Sequence, residues 1–171
     1  RDGHFFNTFV GLDYNLPEPE PTYTVVWRIN VGSTTPVTAT DGLGDWVSGL
    51  AAGAQTSGNL NVTQGQNAAT TAFSWVKHAS IPVAMPDADF QSLFDSVRYD
   101  VLSAPDMTYT FSGLTPGEYK VRVYLGETGS SATVGTRVFD LYINGVLVQD
   151  DLDQVALFGA TRTAGMLEYD V

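Results

Sequence analysis

Apolar and polar residues alternate over several stretches in the C-terminal half of the chain, which is the pattern of half-buried β-strands. Met107–Phe111, Tyr119–Leu125 and Phe139–Ile143 all alternate in this way. An Asn-Gly pair at positions 144–145 separates the third run from Val146–Val148. Asn-Gly favours a two-residue type I′ hairpin loop, because both central residues of that loop need a positive φ. The pattern therefore predicts antiparallel sheet with one face in a core.

Weaker patterns fill the rest of the chain. Thr22–Val31 alternates and predicts a strand, whereas the Gly-rich residues 32–77 predict a long series of loops. Apolar residues at helical spacing in Asp87–Val97 predict a short helix or 3₁₀ segment that runs into a strand at Ser96–Asp100. Met166–Val171 begins a further strand. Together these elements predict an all-β fold, an antiparallel two-sheet β-sandwich with one or two short helical turns.

Composition and charge narrow the class of partner. The 171 residues are 43% hydrophobic and 16% charged, which suits one globular β domain with a largely neutral polar surface. The net charge is −11 and only 8 residues are Lys or Arg, which argues against nucleic acids and anionic membranes as partners. No apolar run is long enough to span a bilayer, so no membrane insertion is expected. The chain has no cysteine, which excludes disulfides and thiolate chemistry.

Two segments precede the main body of the chain. Residues Phe5–Tyr14 are rich in β-prone apolar side chains, and prolines alternate with glutamates over residues 17–21. Because proline favours a stiff, extended backbone, we interpret residues 1–16 as an N-terminal strand segment, 17–21 as a spacer and 22–171 as the sandwich. The chain begins with Arg1 rather than Met, and we expect a processed or excised chain from a secreted, extracellular protein.

Six short blocks of the chain are weak signals singly but follow one another in a specific order and spacing. They are Trp27–Gly32, Thr38–Trp46, Phe94–Asp100, Met107–Phe111, Gly117–Glu127 and Arg137–Val146. In this order the chain resembles a malectin-type carbohydrate-binding module over roughly residues 25 to 171. The resemblance implies a jelly-roll-like β-sandwich that binds a glucose-type oligosaccharide or polysaccharide and performs no catalysis.

The resemblance also implies where carbohydrate would bind, through aromatic rings and placed polar groups. Tyr99 matches a ligand-binding Tyr of the family, the alternative being a strand Tyr that packs under a loop. An aromatic residue from Phe73 or Trp75 replaces another family Tyr in a loose alignment, and Trp46 lies in a Gly-rich loop. For Trp75 and Trp46 the alternative is a role in the core. Asp13, beside Tyr14, matches a late family Asp if the N-terminal segment stands in for the closing strands of the family.

The ends of the chain suggest a second hypothesis. Malectin domains continue past the position of Val171 with closing strands, and the segment after Asp2-Gly3 looks like that piece placed at the front. It would then complete a sandwich in cis or in a neighbouring subunit, since an open strand edge invites a further strand. Exchange between subunits would make the chain a structural subunit of an extracellular fibre or surface assembly. The strand-exchange residues would be Phe5, Phe6, Phe9, Val10 and Leu12.

One family feature is missing. Malectin domains carry an aromatic pair after a Phe-Ala-Glu block, and this chain has the small and polar residues Leu125–Ser130 there. A stacking platform is therefore absent from the place where the family has one. This difference counts against the disaccharide specificity of the family in this chain.

The sequence predicts no catalytic centre, and it leaves open whether one acidic stretch binds a metal. His4 and His78 are the only histidines, and no nucleophile elbow, zinc-binding helix or P-loop motif is present. Asp150, Asp151 and Asp153 offer oxygen ligands of the kind that Ca²⁺ prefers, the alternative being a solvated acidic turn. We expect a binding module rather than an enzyme, with no cofactor required.

Overall fold

The computed structural model describes residues 23–71, 73–100 and 105–171, which contain twelve short strands and two helices. The strands β1 to β12 are, in chain order, Ile29–Asn30, Val47–Ser48, Gln55–Ser57, Leu60–Val62, Gln66–Ala69, Val76–Lys77, Ser96–Tyr99, Tyr109–Phe111, Lys120–Gly126, Phe139–Ile143, Val146–Leu152 and Thr163–Asp170. The helices are α1, Asp87–Phe94, and α2, Gln154–Phe158. Neither helix of these described ranges is long and apolar enough to cross a membrane. The predicted all-β fold class is confirmed.

Hydrogen bonds join the strands of the described residues into five small sheets. The longest pairing is antiparallel, between β9 and β12, and runs from Gly126 opposite Ala164 to Lys120 opposite Asp170. β12 also pairs in parallel with β6 and is the central strand of its sheet. The other sheets have the orders β3-β4-β8, β5-β7, β10-β11 and β1-β2, the last a parallel pair. The two short parallel pairs depart from the wholly antiparallel prediction.

One face of α1 forms the centre of the core. Phe90, Leu93 and Phe94 recur at intervals of three and four residues and are buried, and Phe90 is only 1% exposed. Asp89, in the first turn of α1, accepts hydrogen bonds from the Thr40 backbone N–H at 2.8 Å and from the Thr40 hydroxyl at 3.0 Å. The buried cluster around the helix comprises Trp46, Trp75, Ile81, Met85, Phe90, Leu93, Phe94 and Ala164.

The predicted hairpin is confirmed. β10 and β11 pair antiparallel, and Asn144 and Gly145 have φ values of 51° and 77°, the positive values that a type I′ turn needs. β11 runs on to Leu152, so Asp150 and Asp151 belong to a strand and not to an acidic turn. The predicted succession of a short helix and a strand is also confirmed, by α1 and β7.

The N-terminal half departs most from the sequence prediction. Of the alternating residues Thr22–Val31, only Ile29–Asn30 pairs as a strand in the part of the chain that the structure describes, and Val25 and Trp27 are exposed. A strand needs a neighbouring backbone to bond to, which alternation alone does not supply. Conversely, the stretch 32–77 contains β2 to β6, which are two to four residues long. Strands this short leave no visible period in a sequence.

The predicted N-terminal strand segment and the spacer lie outside the described residues. The same holds for two of the predicted carbohydrate contacts, Asp13 and Tyr14. It also holds for the residues of the strand-exchange hypothesis, Phe5, Phe6, Phe9, Val10 and Leu12. These stay predictions from the sequence.

Candidate functional site

Tyr99 is the predicted carbohydrate contact that the structure leaves exposed. It is the last residue of β7, opposite Gln66 of β5, and 48% of its surface is open to solvent. The following residue, Asp100, accepts hydrogen bonds from Gln64 Nε2 at 2.8 Å and from the Met107 backbone N–H at 2.9 Å. The ring of Tyr99 is therefore presented from a strand end whose next residue is held in place.

Trp46 and Trp75, the other aromatic candidates, are buried in the core. Trp75 is 4% exposed, its indole N–H donates to the Phe94 carbonyl oxygen at 2.8 Å, and the two ring centroids are 5.2 Å apart. Trp46 is 6% exposed, with the Arg28 guanidinium 4.2 Å from its ring centroid and the Tyr124 ring edge-on at 5.4 Å. Neither indole offers an open face to a sugar. This burial favours the core role, the alternative named above.

An ion pair fixes the Gly-rich loop beside Trp46. Arg28 donates from Nη1 and Nη2 to the two carboxylate oxygens of Asp41 at 2.9 and 2.5 Å, and both side chains are less than a tenth exposed, 9% and 7%. Asp41 also accepts a hydrogen bond from the Leu43 backbone N–H at 3.0 Å. These bonds, chiefly those from Arg28, hold the pKa of Asp41 below its ordinary value. The loop is thus held in place by a charge pair.

The loop after β9, where the family has its aromatic pair, is built around a buried carboxylate. Glu127 is 3% exposed and accepts hydrogen bonds from Arg137 Nη1 at 2.8 Å and from the Gly129 backbone N–H at 2.5 Å. Its backbone oxygen accepts from the Arg162 N–H at 2.8 Å. Charge pairing therefore takes the place of a stacking platform in this loop.

A cleft of about 520 Å³, lined mostly by polar residues, lies on the face of the β5-β7 sheet that is opposite to Tyr99. Because side chains alternate along a strand and paired residues share a face, Asn67 and Ser96 lie on the cleft face. Tyr99 lies on the opposite face, together with Val97, which packs against the core. The turn of residues 30–35 forms a second wall. The cleft and the exposed Tyr99 ring are therefore separate surfaces of one small sheet.

Gly32 brings that turn onto the sheet. Its φ is +87°, and a Cβ atom at this position would overlap the Val97 carbonyl group and lie 2.8 Å from the Arg98 backbone nitrogen. Only glycine allows both the left-handed backbone and the contact. Gly49 makes a similar approach on the other side of the turn, where a Cβ atom would lie 2.7 Å from the Val31 Cα. The backbone of residues 30–32 is thus packed between β7 and Gly49.

Two carboxamides line the cleft in fixed orientations. Asn30 Nδ2 donates to the Thr35 carbonyl oxygen and Asn67 Nδ2 donates to the Leu50 carbonyl oxygen, both at 3.0 Å. An amide nitrogen must face a carbonyl acceptor, so the position of each Oδ1 follows from these bonds. Both Oδ1 atoms are covered from bulk solvent and have no hydrogen-bond partner within the ranges that the structure describes. Asn30 itself is 3% exposed.

Arg98 anchors the loops that adjoin the cleft. Arg98 is 8% exposed, and its guanidinium donates to backbone carbonyl oxygens only, among the bonds of the described residues. The Nε atom reaches the Gln64 oxygen at 3.1 Å and Nη1 reaches the Ala51 oxygen at 2.8 Å. Further bonds go to the oxygens of Gly49 and Gly53. One side chain thus holds two loops in place.

The acidic residues of the calcium hypothesis do not stay together. Asp153 begins α2, and its Oδ1 accepts from the Val155 and Ala156 N–H groups at 2.9 and 3.0 Å. A backbone N–H from Gly135 and these capping bonds lower the pKa of Asp153. Asp140 instead joins Asp150 and Asp151 in an exposed cluster whose ligand atoms lie within 4.8 Å of one another. The structure thus keeps Asp150 and Asp151 together and places Asp153 at the start of a helix. Calcium binding stays a prediction, since exposed acidic groups of this kind are common without a metal.

Sequence reasoning missed both the cleft and one exposed aromatic pair. Trp27 and Phe111 lie with ring centroids 5.8 Å apart, and each is 36% exposed. Trp27 lies in a run that predicts a strand, and nothing in the sequence indicates that its ring is exposed. Asn30 and Asn67 belong to no motif, and only the register of β5 and β7 brings Asn67 to the turn that holds Asn30.

The fold and its surface define an all-β domain of the sandwich type with polar and aromatic side chains open on the β5-β7 sheet. The model of the malectin domain family matches residues 25–170, and the chain belongs to that family. Comparison with curated proteins and with solved structures gave no significant match.

Proposed function

We propose that this chain is a non-catalytic, extracellular module that binds a glucose-type oligosaccharide or polysaccharide. Membership of the malectin domain family over residues 25–170 is the observation that carries the proposal. The exposed ring of Tyr99, at the end of a paired strand, supports it as a contact, since an aromatic face packs well against the apolar face of a sugar. The acidic net charge of −11 suits a neutral ligand better than an anionic one.

Removal of the Tyr99 ring tests the contact. Tyr99→Ala is expected to weaken binding of the full chain to maltose or cellobiose by at least about fivefold, because stacking on an aromatic ring contributes roughly 1 kcal/mol beyond its buried area. Isothermal titration calorimetry measures the dissociation constants. Tyr142→Ala is the matched control, since Tyr142 is a tyrosine of β10 that is 56% exposed.

We expect the control to bind as the unchanged chain does. Equal affinities for Tyr99→Ala and Tyr142→Ala would remove Tyr99 from the site. A chain that binds no sugar on a broad glycan array would contradict the proposed function itself.

A second candidate function is assembly by strand exchange. The outer edge of β9 pairs with no strand of the described residues, and β10-β11 is a separate sheet of only two strands. Tyr142 and Leu147 lie opposite each other in this hairpin and are 56% and 42% exposed. Open edges and apolar sheet faces favour the addition of a further strand. The apolar residues of Phe5–Tyr14 make the N-terminal segment the candidate strand.

A charge in the N-terminal segment tests this second candidate. Phe9→Asp is expected to convert a concentration-dependent assembly of the full chain to monomers, because a carboxylate cannot enter an apolar sheet face without a large desolvation cost. Analytical ultracentrifugation over a range of protein concentrations measures the assembly. Thr8→Asp, at the neighbouring position on the other face of an extended segment, is the control and should leave assembly unchanged. A monomeric unchanged chain at every concentration would exclude strand exchange between subunits.

A further inference from the structure

We infer that the polar cleft beside β5-β7 is a binding site for the hydroxyl groups of a carbohydrate, separate from the face that carries Tyr99. The inference rests on the proposed function and deepens it by naming a second surface of the module. The cleft lies on one face of the sheet and Tyr99 on the other, as strand register requires. A ligand in the cleft therefore meets a different set of side chains.

The cleft has the chemistry of a polyol site. Its walls carry the hydroxyls of Ser33, Thr35 and Thr71, two carboxamides, and the carboxylate of Asp95, and no Lys or Arg is among its lining residues. A ligand with a phosphate or carboxylate would meet a carboxylate and no cation. A neutral ligand whose groups both donate and accept hydrogen bonds matches these walls, and a sugar ring is such a ligand.

The two carboxamide oxygens give the cleft a preference for donors. Asn30 and Asn67 already use their Nδ2 atoms on backbone carbonyls, so only Oδ1 of each is left to interact. Both Oδ1 atoms lack a partner in the described part of the chain, and Asn30 is almost wholly buried. Both residues line the cleft, so a sugar hydroxyl there lies next to their side chains, and contact with either covered oxygen requires the carboxamide to turn toward the ligand. Binding would then give the oxygen a hydrogen-bond donor, which it lacks among the described residues.

The walls are rigid enough to hold a ligand in one orientation. The turn with Asn30 rests on the backbone of β7 through Gly32, and Ser33 and Thr35 bond to each other through their hydroxyls at 2.9 Å. The loop beside Asn67 is held by the guanidinium of Arg98. A preformed site does not have to order loops when a ligand binds.

A bulky side chain in the cleft provides the main test. Ala69 is exposed, lines the cleft and makes no side-chain hydrogen bond, so Ala69→Phe fills the space without removing a polar contact. Ala156→Phe is the matched control on the exposed side of α2, away from the cleft. We expect Ala69→Phe to weaken maltose or cellobiose binding at the cleft at least tenfold and Ala156→Phe to leave it unchanged. Titration of ¹⁵N-labelled full chain reports each site through its own backbone amides.

A second variant keeps the test decisive if Ala69→Phe does not fold. Thr71 is exposed, and Thr71→Val keeps the shape of its side chain while it removes one hydroxyl. We expect two- to tenfold weaker sugar binding at the cleft, which is about the effect of one hydrogen bond. In the unchanged chain, sugar should shift the amide resonances of Gly32, Ser33, Asn67 and Ser96.

The outcomes separate this inference from the proposed function. Shifts near Tyr99 that Tyr99→Ala abolishes, with no shift at the cleft amides, would overturn the cleft and leave the carbohydrate function standing. Cleft shifts that Ala69→Phe removes and Tyr99→Ala does not would support the cleft as a separate site. The absence of any shift with either sugar would overturn both.

Discussion

Gly32→Ala is expected to lower the free energy of unfolding by about 3–5 kcal/mol, a large part of the roughly 5–15 kcal/mol by which folded domains are stable. Two costs add at this position. Gly32 has a φ of +87°, which a side chain disfavours, and its Cβ would overlap the Val97 carbonyl group, which is backbone and cannot rotate away. Urea denaturation followed by circular dichroism measures the loss.

Gly42→Ala separates the two costs. Gly42 has a similar φ of +77°, but no atom lies within 4 Å of the position its Cβ would take. Gly42→Ala should therefore lower the free energy of unfolding only by the cost of the left-handed backbone, about 1 kcal/mol. Equal losses for the two variants would mean that the turn of residues 30–35 does not rest on β7 as described, and the cleft would lose one wall.

Secondary structure could be predicted from the sequence where strands are long and pair with the next strand in the chain. The hairpin of β10 and β11 could be predicted because its register and turn are set by adjacent residues, and Asn144-Gly145 leaves few other conformations. The helix α1 could be predicted because three large apolar residues share its buried face. Both patterns depend only on residues that are close in the sequence, and both elements form in the folded chain.

Pairing between distant residues could not be predicted in the same way. β4 pairs with β8, and β6 pairs with β12, across long separations in the chain and over only two or three residues. Short strands of this kind are chosen by what is available to pair with them, not by their own pattern. The residues before β1 show the converse, since Val25 and Trp27 alternate well but belong to no paired strand in the described ranges.

The candidate site was harder to predict than the fold. A large aromatic residue serves equally well as a core residue or as a sugar contact, and only burial distinguishes Trp46 and Trp75 from Tyr99. Family resemblance pointed correctly to the carbohydrate-binding family. It could not point to the cleft, because Asn30 and Asn67 become neighbours of one cavity only after β5 and β7 pair.

Arg98→Met is expected to lower the free energy of unfolding by about 3–5 kcal/mol. Arg98 is 8% exposed, and its guanidinium is the donor for the carbonyl oxygens of Gly49, Ala51, Gly53 and Gln64. Methionine fills much of the same volume but donates nothing, so these oxygens would lose a charged partner in a place that water reaches poorly. Arg98→Lys keeps the charge but has a single donating atom in place of a planar fork, and it should recover only part of the loss.

Arg122→Met is the control for this prediction, because Arg122 is an arginine of β9 with a side chain that is 46% exposed and an ion pair to Glu168 at 2.6 Å. Exposed ion pairs contribute little, so its loss should be about 0–1 kcal/mol. Denaturant midpoints give the two losses, and hydrogen exchange adds a local reading, since residues 49–53 should exchange faster in Arg98→Met before global unfolding. A loss in Arg98→Met no larger than that in Arg122→Met would mean that the loops beside the cleft are held by other contacts. The rigid wall assigned to Asn67 would then lack its support.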